Sequence, residues 1–231
     1  MGKKRIGDWF LLSKEKSGSF IEFARGNRPS YDNNYCQKLQ RFLDGHKKER
    51  GGQRRTAIDV GASYGFVSKH LSEQFDEVKS FEVVDDIRYC LELNVENNDM
   101  NNVEVFPCGL SDYNGDMTIY VSERWTGHAS KYMNRDIHRR RDARKCDVRT
   151  LDSFDFQNVD LIKIDTEGSE LNVVRGGLKT ISLWRPAIVT EVSIKNPQAV
   201  KDAYQLIMLM DSLNYKYHRT IGGDFIFIPD D

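Results

Sequence analysis

The sequence predicts an α/β fold built on a mostly parallel sheet with helices on both faces. Two observations carry that expectation. Short apolar, partly β-branched runs alternate with segments whose apolar residues recur at helical spacing, which is the pattern of βα units. The last stretch instead reads as two strands around Gly222-Gly223, a closing antiparallel hairpin. With 231 residues the chain suits one such domain. We divide it into an N-terminal extension and helix over residues 1–54, packed on the core, and the main domain over 55–231.

The elements follow in order. Residues 1–29 hold two aromatic-apolar clusters, Trp9-Phe-Leu-Leu12 and Phe20-Ile-Glu-Phe23, expected as a short β or irregular extension over the core or its cleft. A helix is expected over 30–50, with Tyr35, Leu39, Phe42 and Leu43 on one side and Ser30 or Asp32 as N-cap. After Gly51-Gly52 comes strand Thr56–Val60, then a helix over 64–75 and a strand over 77–84. A helix capped by Asp85 or Asp86 carries Ile87, Cys90, Leu91 and Val95, and Val103–Phe106 is the third core strand. Asp112-Tyr-Asn-Gly115 signals a hairpin turn into Met117–Val121. Residues 122–147 show no clean period and read as a long insertion carrying the basic run 135–145, expected as a functional loop or lid or as a partly disordered segment. The alternation resumes with strand Val159–Asp165, a helix from Ser169 to Leu183 interrupted at Gly176-Gly177, strand Pro186–Val192 and a helix over 197–212.

Composition narrows the function. A formal charge of −1 excludes a globally basic nucleic-acid binder, though not a local basic patch. Cys36, Cys90, Cys108 and Cys146 form no CxxC, so a reduced, cytoplasmic setting is expected. No apolar run approaches the length of a membrane span, and Trp9–Leu12 is far too short. Met-Gly lacks the following Ser or Thr of a myristoylation site.

The chemistry concentrates in Thr56-Ala-Ile-Asp-Val-Gly-Ala-Ser-Tyr-Gly-Phe66, read as strand, glycine turn and helix. Such a turn offers backbone N–H groups to a ligand, and Glu82, at the end of the next strand, is placed to accept from ribose hydroxyls. A nucleoside-containing cofactor is the expectation. A phosphate-cradling P-loop would need Gly-Lys-Ser/Thr, and a dinucleotide fingerprint a third glycine; neither is present. Gly61-Ala-Ser-Tyr-Gly65 is also a literal G-x-S-x-G, and Asp165 and His218 follow in the order of a hydrolase triad. Against that reading, little more than fifty residues precede the turn and Glu82 would have no task.

Asp59-Val-Gly-Ala-Ser-Tyr-Gly65, Phe81-Glu82, Gly109-Leu-Ser-Asp112, Arg149-Thr-Leu-Asp152 and Ile162-Lys-Ile-Asp-Thr-Glu-Gly-Ser-Glu170 resemble FkbM-type methyltransferases in order and spacing, over roughly residues 55–195. The resemblance implies a class I S-adenosylmethionine-dependent methyltransferase (Rossmann-like) fold, with a mostly parallel seven-stranded sheet. It also implies methyl transfer to a hydroxyl of a sugar, glycan or small metabolite. Under it, Gly61, Ala62, Ser63 and Gly65 meet the methionine portion, Asp59 accepts from its ammonium directly or through water, and Glu82 holds the ribose. Cys108, Gly109 and Leu110 flank the adenine, although Cys108 also suits an ordinary buried site. Asp165, Glu167 and Glu191 converge as catalytic carboxylates, Asp165 also holding the cofactor's ammonium. They could orient or deprotonate a hydroxyl, or gather a divalent cation; no residue is assigned as a metal ligand. For Glu167 and Glu170, helix N-terminal carboxylates favoured by the macrodipole are the competing role. His128, on a loop, could serve as a base over the cleft, a solvated loop histidine being the competing and favoured role. The run 135–145 suits an anionic or phosphate-bearing acceptor, and supports an RNA ribose 2′-O-methyltransferase as the alternative function. That activity wants a lysine where Glu191 stands, and Lys195 comes four residues late.

Overall fold

The computed structural model describes residues 2–26, 31–49, 54–122, 129–130, 141–192, 194 and 196–230. The N-terminal segment forms an antiparallel hairpin of β1 (Lys3–Ile6) and β2 (Trp9–Leu12), followed by α1 (Gly18–Ala24) and α2 (Tyr31–Glu49). The βα alternation then runs through β3 (Thr56–Val60), α3 (Phe66–Ser72), β4 (Glu77–Phe81), α4 (Asp85–Asn97) and β5 (Val103–Phe106). A four-stranded excursion comprises β6 (Gly109–Leu110), β7 (Gly115–Ser122), β8 (Ala129–Ser130) and β9 (Arg141–Arg149). The chain returns through a 3₁₀ turn (Leu151–Phe154) to β10 (Val159–Ile164), α5 (Glu170–Gly176), α6 (Leu178–Trp184), β11 (Ala187–Thr190) and α7 (Pro197–Ser212). β12 (Tyr215–Ile221) and β13 (Asp224–Pro229) close it as the expected hairpin.

The main sheet has seven strands in the order β12-β13-β11-β10-β3-β4-β5. Strands β11, β10, β3, β4 and β5 are parallel, and β13 inserts antiparallel between β11 and β12. The central strands are buried from both sides, which is why β3 and β10 read as near-continuous apolar runs. On one face Ile58, Val60, Ile162, Ile164 and Ile188 pack with residues of α5, α6 and α7 such as Leu171, Val174, Ile181 and Met210. On the other, Ala57, Leu161, Ala187 and Val189 pack under Tyr35, Leu39, Phe42 and Leu43 of α2 and Leu71 of α3. The helix expected over 30–50 therefore covers the sheet with the side the spacing predicted.

Two expectations change. The turn at Asp112–Gly115 does not join neighbouring strands: β9 lies between β6 and β7, pairing parallel with the first and antiparallel with the second. And the aperiodic stretch 122–147 ends in a nine-residue strand, β9. Its alternation was hidden because charged residues fill most of its positions, leaving Val148 as the fully buried one. Residues 123–128 and 131–140, including His128 and the start of the basic run, lie outside the described residues. Among those described, no helix is long and apolar enough to cross a membrane.

The N-terminal segment is held by aromatic packing. Trp9, Phe20 and Phe23 meet Phe66, the first residue of α3, with ring centroids 4.5, 5.7 and 4.2 Å away. Glu15 lies beneath, its Oε2 accepting from the Tyr64 hydroxyl at 3.0 Å and its Oε1 from the backbone N–H of Ser17 at 2.6 Å. The extension is thus joined to the glycine turn. We expect Phe66→Ala to cost about 3–5 kcal/mol, as for other buried aromatic truncations. Urea unfolding measures this, and an unchanged midpoint would show that the aromatic cluster contributes nothing.

Candidate active site

Strand order reverses at β3 and β10, and in open α/β sheets ligands bind beyond the carboxyl ends of the strands at such a point. The register shows what stands there. The last ladder pairs, Val60↔Phe81, Val60↔Ile164, Ile164↔Thr190 and Thr190↔Phe225, put Glu82, Gly61, Asp165, Glu191 and Asp224 one step further along, in a row across the sheet edge. Backbone bonds continue the ladder there: the N–H groups of Gly61, Asp165 and Glu191 each donate to the preceding neighbour strand at 3.0 Å.

These residues line one cavity of about 630 Å³, within the range of small-molecule sites. Ala62 and Ser63, Cys108 to Leu110, Lys163 and Glu167 line it too. Its roof includes Ser17 and Phe20, so the N-terminal extension does reach the cleft, and Met117 and Ile119 of β7 form an apolar side wall.

Gly61 has φ +80°, and a Cβ there would sit 1.9 Å from the carbonyl oxygen of Asp165, so only glycine lets β3 and β10 approach this closely. Gly65, at φ +88°, is the N-cap residue just before α3. Between them Ser63 adopts φ 53° and its N–H donates to Glu82 Oε2 at 2.9 Å, while the N–H of Val84 donates to Oε1 at 2.8 Å. Glu82 is thereby fixed on the cavity wall. Burial pushes its carboxyl up, against the pull of the two N–H groups. Burial likewise pushes the Cys108 thiol up to about 11, so it is a neutral, apolar wall.

Asp59 occupies a different place from the one expected. It is fully buried one layer beneath the row and does not line the cavity. Its partners are Lys163 Nζ at 3.2 Å and the Ser68 hydroxyl, which donates at 2.6 Å; Ser80 in turn donates to Ser68 at 2.9 Å. Residues two apart on a strand share a face, so Asp59 and Lys163 lie directly below Gly61 and Asp165. Lys163 also donates to the Gly61 carbonyl at 3.2 Å and stands 3.8 Å from Asp165 Oδ2. Burial would lower its pKa, but Asp59 and then Asp165 outweigh that and hold the ammonium charged, well above its ordinary value. Sequence reasoning passed over Lys163; its position two residues before the strand-ending acid, in an otherwise apolar run, was the available signal.

Asp165, Glu167 and Glu191 do come together: one oxygen from each lies within 4.8 Å of the others. That arrangement can receive an ammonium, a hydroxyl or a cation. Glu170 instead turns inward, accepting from the N–H groups of Thr166 and Gly168 and the Thr166 hydroxyl at 2.9–3.1 Å, and so shapes the loop that presents Glu167. His218 projects from β12 against Phe42 and does not line the cavity that holds Ser63 and Asp165, so no hydrolase triad is assembled. In the basic run, Arg144 pairs with Asp86 at 3.1 Å and Lys145 with Asp116 at 2.5 Å. Lys195 lies outside the described residues.

The strand order with its inserted antiparallel strand, and the glycine turn and strand-ending acids at the switch point, define the class I fold of S-adenosylmethionine-dependent methyltransferases. The profile of the family described as methyltransferase FkbM domain matches residues 59–217, and the chain belongs to that family. Among solved structures it is similar to methyltransferase FkbM from Methylobacillus flagellatus KT, with TM-score 0.50 and 16% identity over 93% of this chain. The chain spans 55% of the length of that protein. It is also similar to a putative caffeoyl-CoA O-methyltransferase from Staphylococcus aureus, with TM-score 0.52 and 13% identity over 93% of both chains. No curated protein sequence matches it.

Lys163→Met would leave Asp59 buried without its counter-ion, for an expected loss of about 3–5 kcal/mol in stability. The double variant Lys163→Met/Asp59→Leu removes both charges and should recover much of it; denaturant unfolding of the two variants provides the check. Equal stability of Lys163→Met and wild type would mean that the ion pair contributes little.

Proposed function

We propose that the protein transfers a methyl group from S-adenosylmethionine to a hydroxyl of a sugar, glycan or small metabolite. The observation that carries this reading is the row at the sheet edge, in which Glu82, the glycine turn and a set of carboxylates line one cavity. The residues fit the cofactor: Gly61 meets the cavity with backbone alone, whereas Gly65 faces Leu91 rather than the cavity and serves the positive φ of the turn, and Glu82 is held by two backbone N–H groups with lone pairs left for ribose hydroxyls. Gly61, Ala62 and Ser63 would border its methionine part, and Cys108, Gly109 and Leu110 its adenine. Asp59 serves at one remove, by holding Lys163, which in turn holds the Gly61 carbonyl.

When bound, the cofactor supplies a methyl group on a sulfonium sulfur, which leaves as a neutral thioether. The chain's part is to align the acceptor with it. Asp165, Glu167 and Glu191 suit that part: Asp165 takes the cofactor's ammonium, and Glu167 and Glu191 accept from the acceptor's hydroxyls. A polyhydroxylated, uncharged acceptor matches this carboxylate-lined end better than an anionic one, because Lys163, the lysine on the cavity wall, is already paired with Asp59. The three carboxylates would also accommodate a divalent cation, although proton removal by a carboxylate needs none. The cysteines of the described residues are free thiols, in keeping with a cytoplasmic enzyme.

Calorimetric titration with S-adenosylhomocysteine, with NADH as control, tests the cofactor assignment. One-site binding of the former alone is expected, and Glu82→Ala should weaken it about tenfold or more through loss of charge-assisted hydrogen bonds. Wild-type affinity in that variant would remove Glu82 from the ribose site. Asp165→Asn, which takes the charge from the ammonium's partner, should also weaken binding of S-adenosylhomocysteine about tenfold and slow transfer of radiolabelled methyl to a panel of methyl glycosides. Wild-type affinity together with full activity would remove Asp165 from the site.

A further inference from the structure

We propose that Asp224 is the catalytic base, taking the proton of the acceptor hydroxyl while Tyr35 holds its carboxylate in place. This rests on the methyl-transfer reading above and names a group beyond the three carboxylates assigned there. Asp224 opens β13 and comes level with Glu191 at the sheet edge, where it lines the same cavity. It is 8% exposed, whereas the Asp165 side chain is 46% exposed. Its Oδ2 accepts from the hydroxyl of Tyr35, which comes from α2, at 2.9 Å. Among the described residues no donor is bonded to its other oxygen, Oδ1. Gly222 and Gly223 precede it at φ +61° and +112°, and a Cβ on Gly223 would meet nothing within 4 Å. An acceptor can therefore approach Asp224 over a turn that carries no side chains.

The surroundings tune the group for that task. Burial pushes Asp224 up to about 6, and Asp165 adds to the rise. Lys163 and the Tyr35 hydroxyl pull it back, and Glu170 contributes a further small rise. Glu191 is its level neighbour on β11. A carboxylate held near 6 is ionised at neutral pH yet a better proton acceptor than one in water. The balance is simple. The acceptor oxygen forms a bond to the methyl carbon, the carbon–sulfur bond breaks with its electron pair going to sulfur, and the hydroxyl proton passes to Asp224. The protonated acid then returns its proton to solvent. Tyr35 is a positioning residue here; burial first, and then the Asp224 charge, keep its own hydroxyl protonated.

The test compares wild type, Asp224→Asn and Tyr35→Phe as full-length protein. S-adenosylhomocysteine affinity is measured first. Its formation from S-adenosylmethionine is then followed with methyl glycosides and with water as the hydroxyl source, above the enzyme-free rate. Asp224→Asn should keep its affinity within about twofold and lose about 100-fold or more in rate. In wild type the rate should rise with pH through about 6. Tyr35→Phe removes a bond to the ionised form, so that limb should move to higher pH. A wild-type rate in Asp224→Asn, or an unmoved limb in Tyr35→Phe, overturns the assignment while leaving methyl transfer standing. A wild-type protein that binds S-adenosylhomocysteine but forms none overturns the base and the transfer reading together. Absence of binding by wild type would overturn the cofactor reading itself.

Discussion

A buried ammonium at the switch point of the sheet is the constraint on which the site depends. Lys163 sits buried among largely apolar strands, and such a charge survives burial only with close partners. Asp59 supplies the full counter-charge from the adjacent strand, and Ser68, itself accepting from Ser80, donates to the other oxygen of that carboxylate. The ammonium then reaches up one layer to the Gly61 carbonyl and toward Asp165. One interaction therefore ties the glycine turn to the acid-bearing strand across the point where the cleft opens.

The acids of this protein fall into two layers with different work. Asp59, beneath, is fully enclosed and serves the lysine. Glu82, Asp165, Glu191 and Asp224, above, edge the cavity. Strand periodicity produces the division, since residues two apart point to the same side at successive depths. The glycines work with it: without a side chain at Gly61 the two central strands can close to the separation the ion pair needs. The N-terminal extension completes the enclosure, with Phe66 anchoring its aromatics and Tyr64 its buried Glu15.

Much of this was legible in the residues. The glycine turn after β3, the strand that ends before Glu82, the strand carrying Lys-Ile-Asp and the closing hairpin each have local signatures, and each element lies where those signatures placed it. The amphipathic side of α2 was readable for the same reason. β9 was not, because exposed charges occupy the positions where alternation would otherwise show. Lys163 was passed over because a lysine in a strand looks like a surface residue until its neighbour strand is known. Tyr35 and Asp224, 189 positions apart, meet only through folding.

The sequence by itself determined the class of fold, the family and the glycine turn beside the cleft, since these follow from short-range patterns of polarity, glycine and spacing. Only the tertiary structure decided which acids reach the cavity and which are consumed in holding it. That choice depends on strand order and register: a shift of one residue exchanges buried and exposed faces, and a shift of two exchanges the layers.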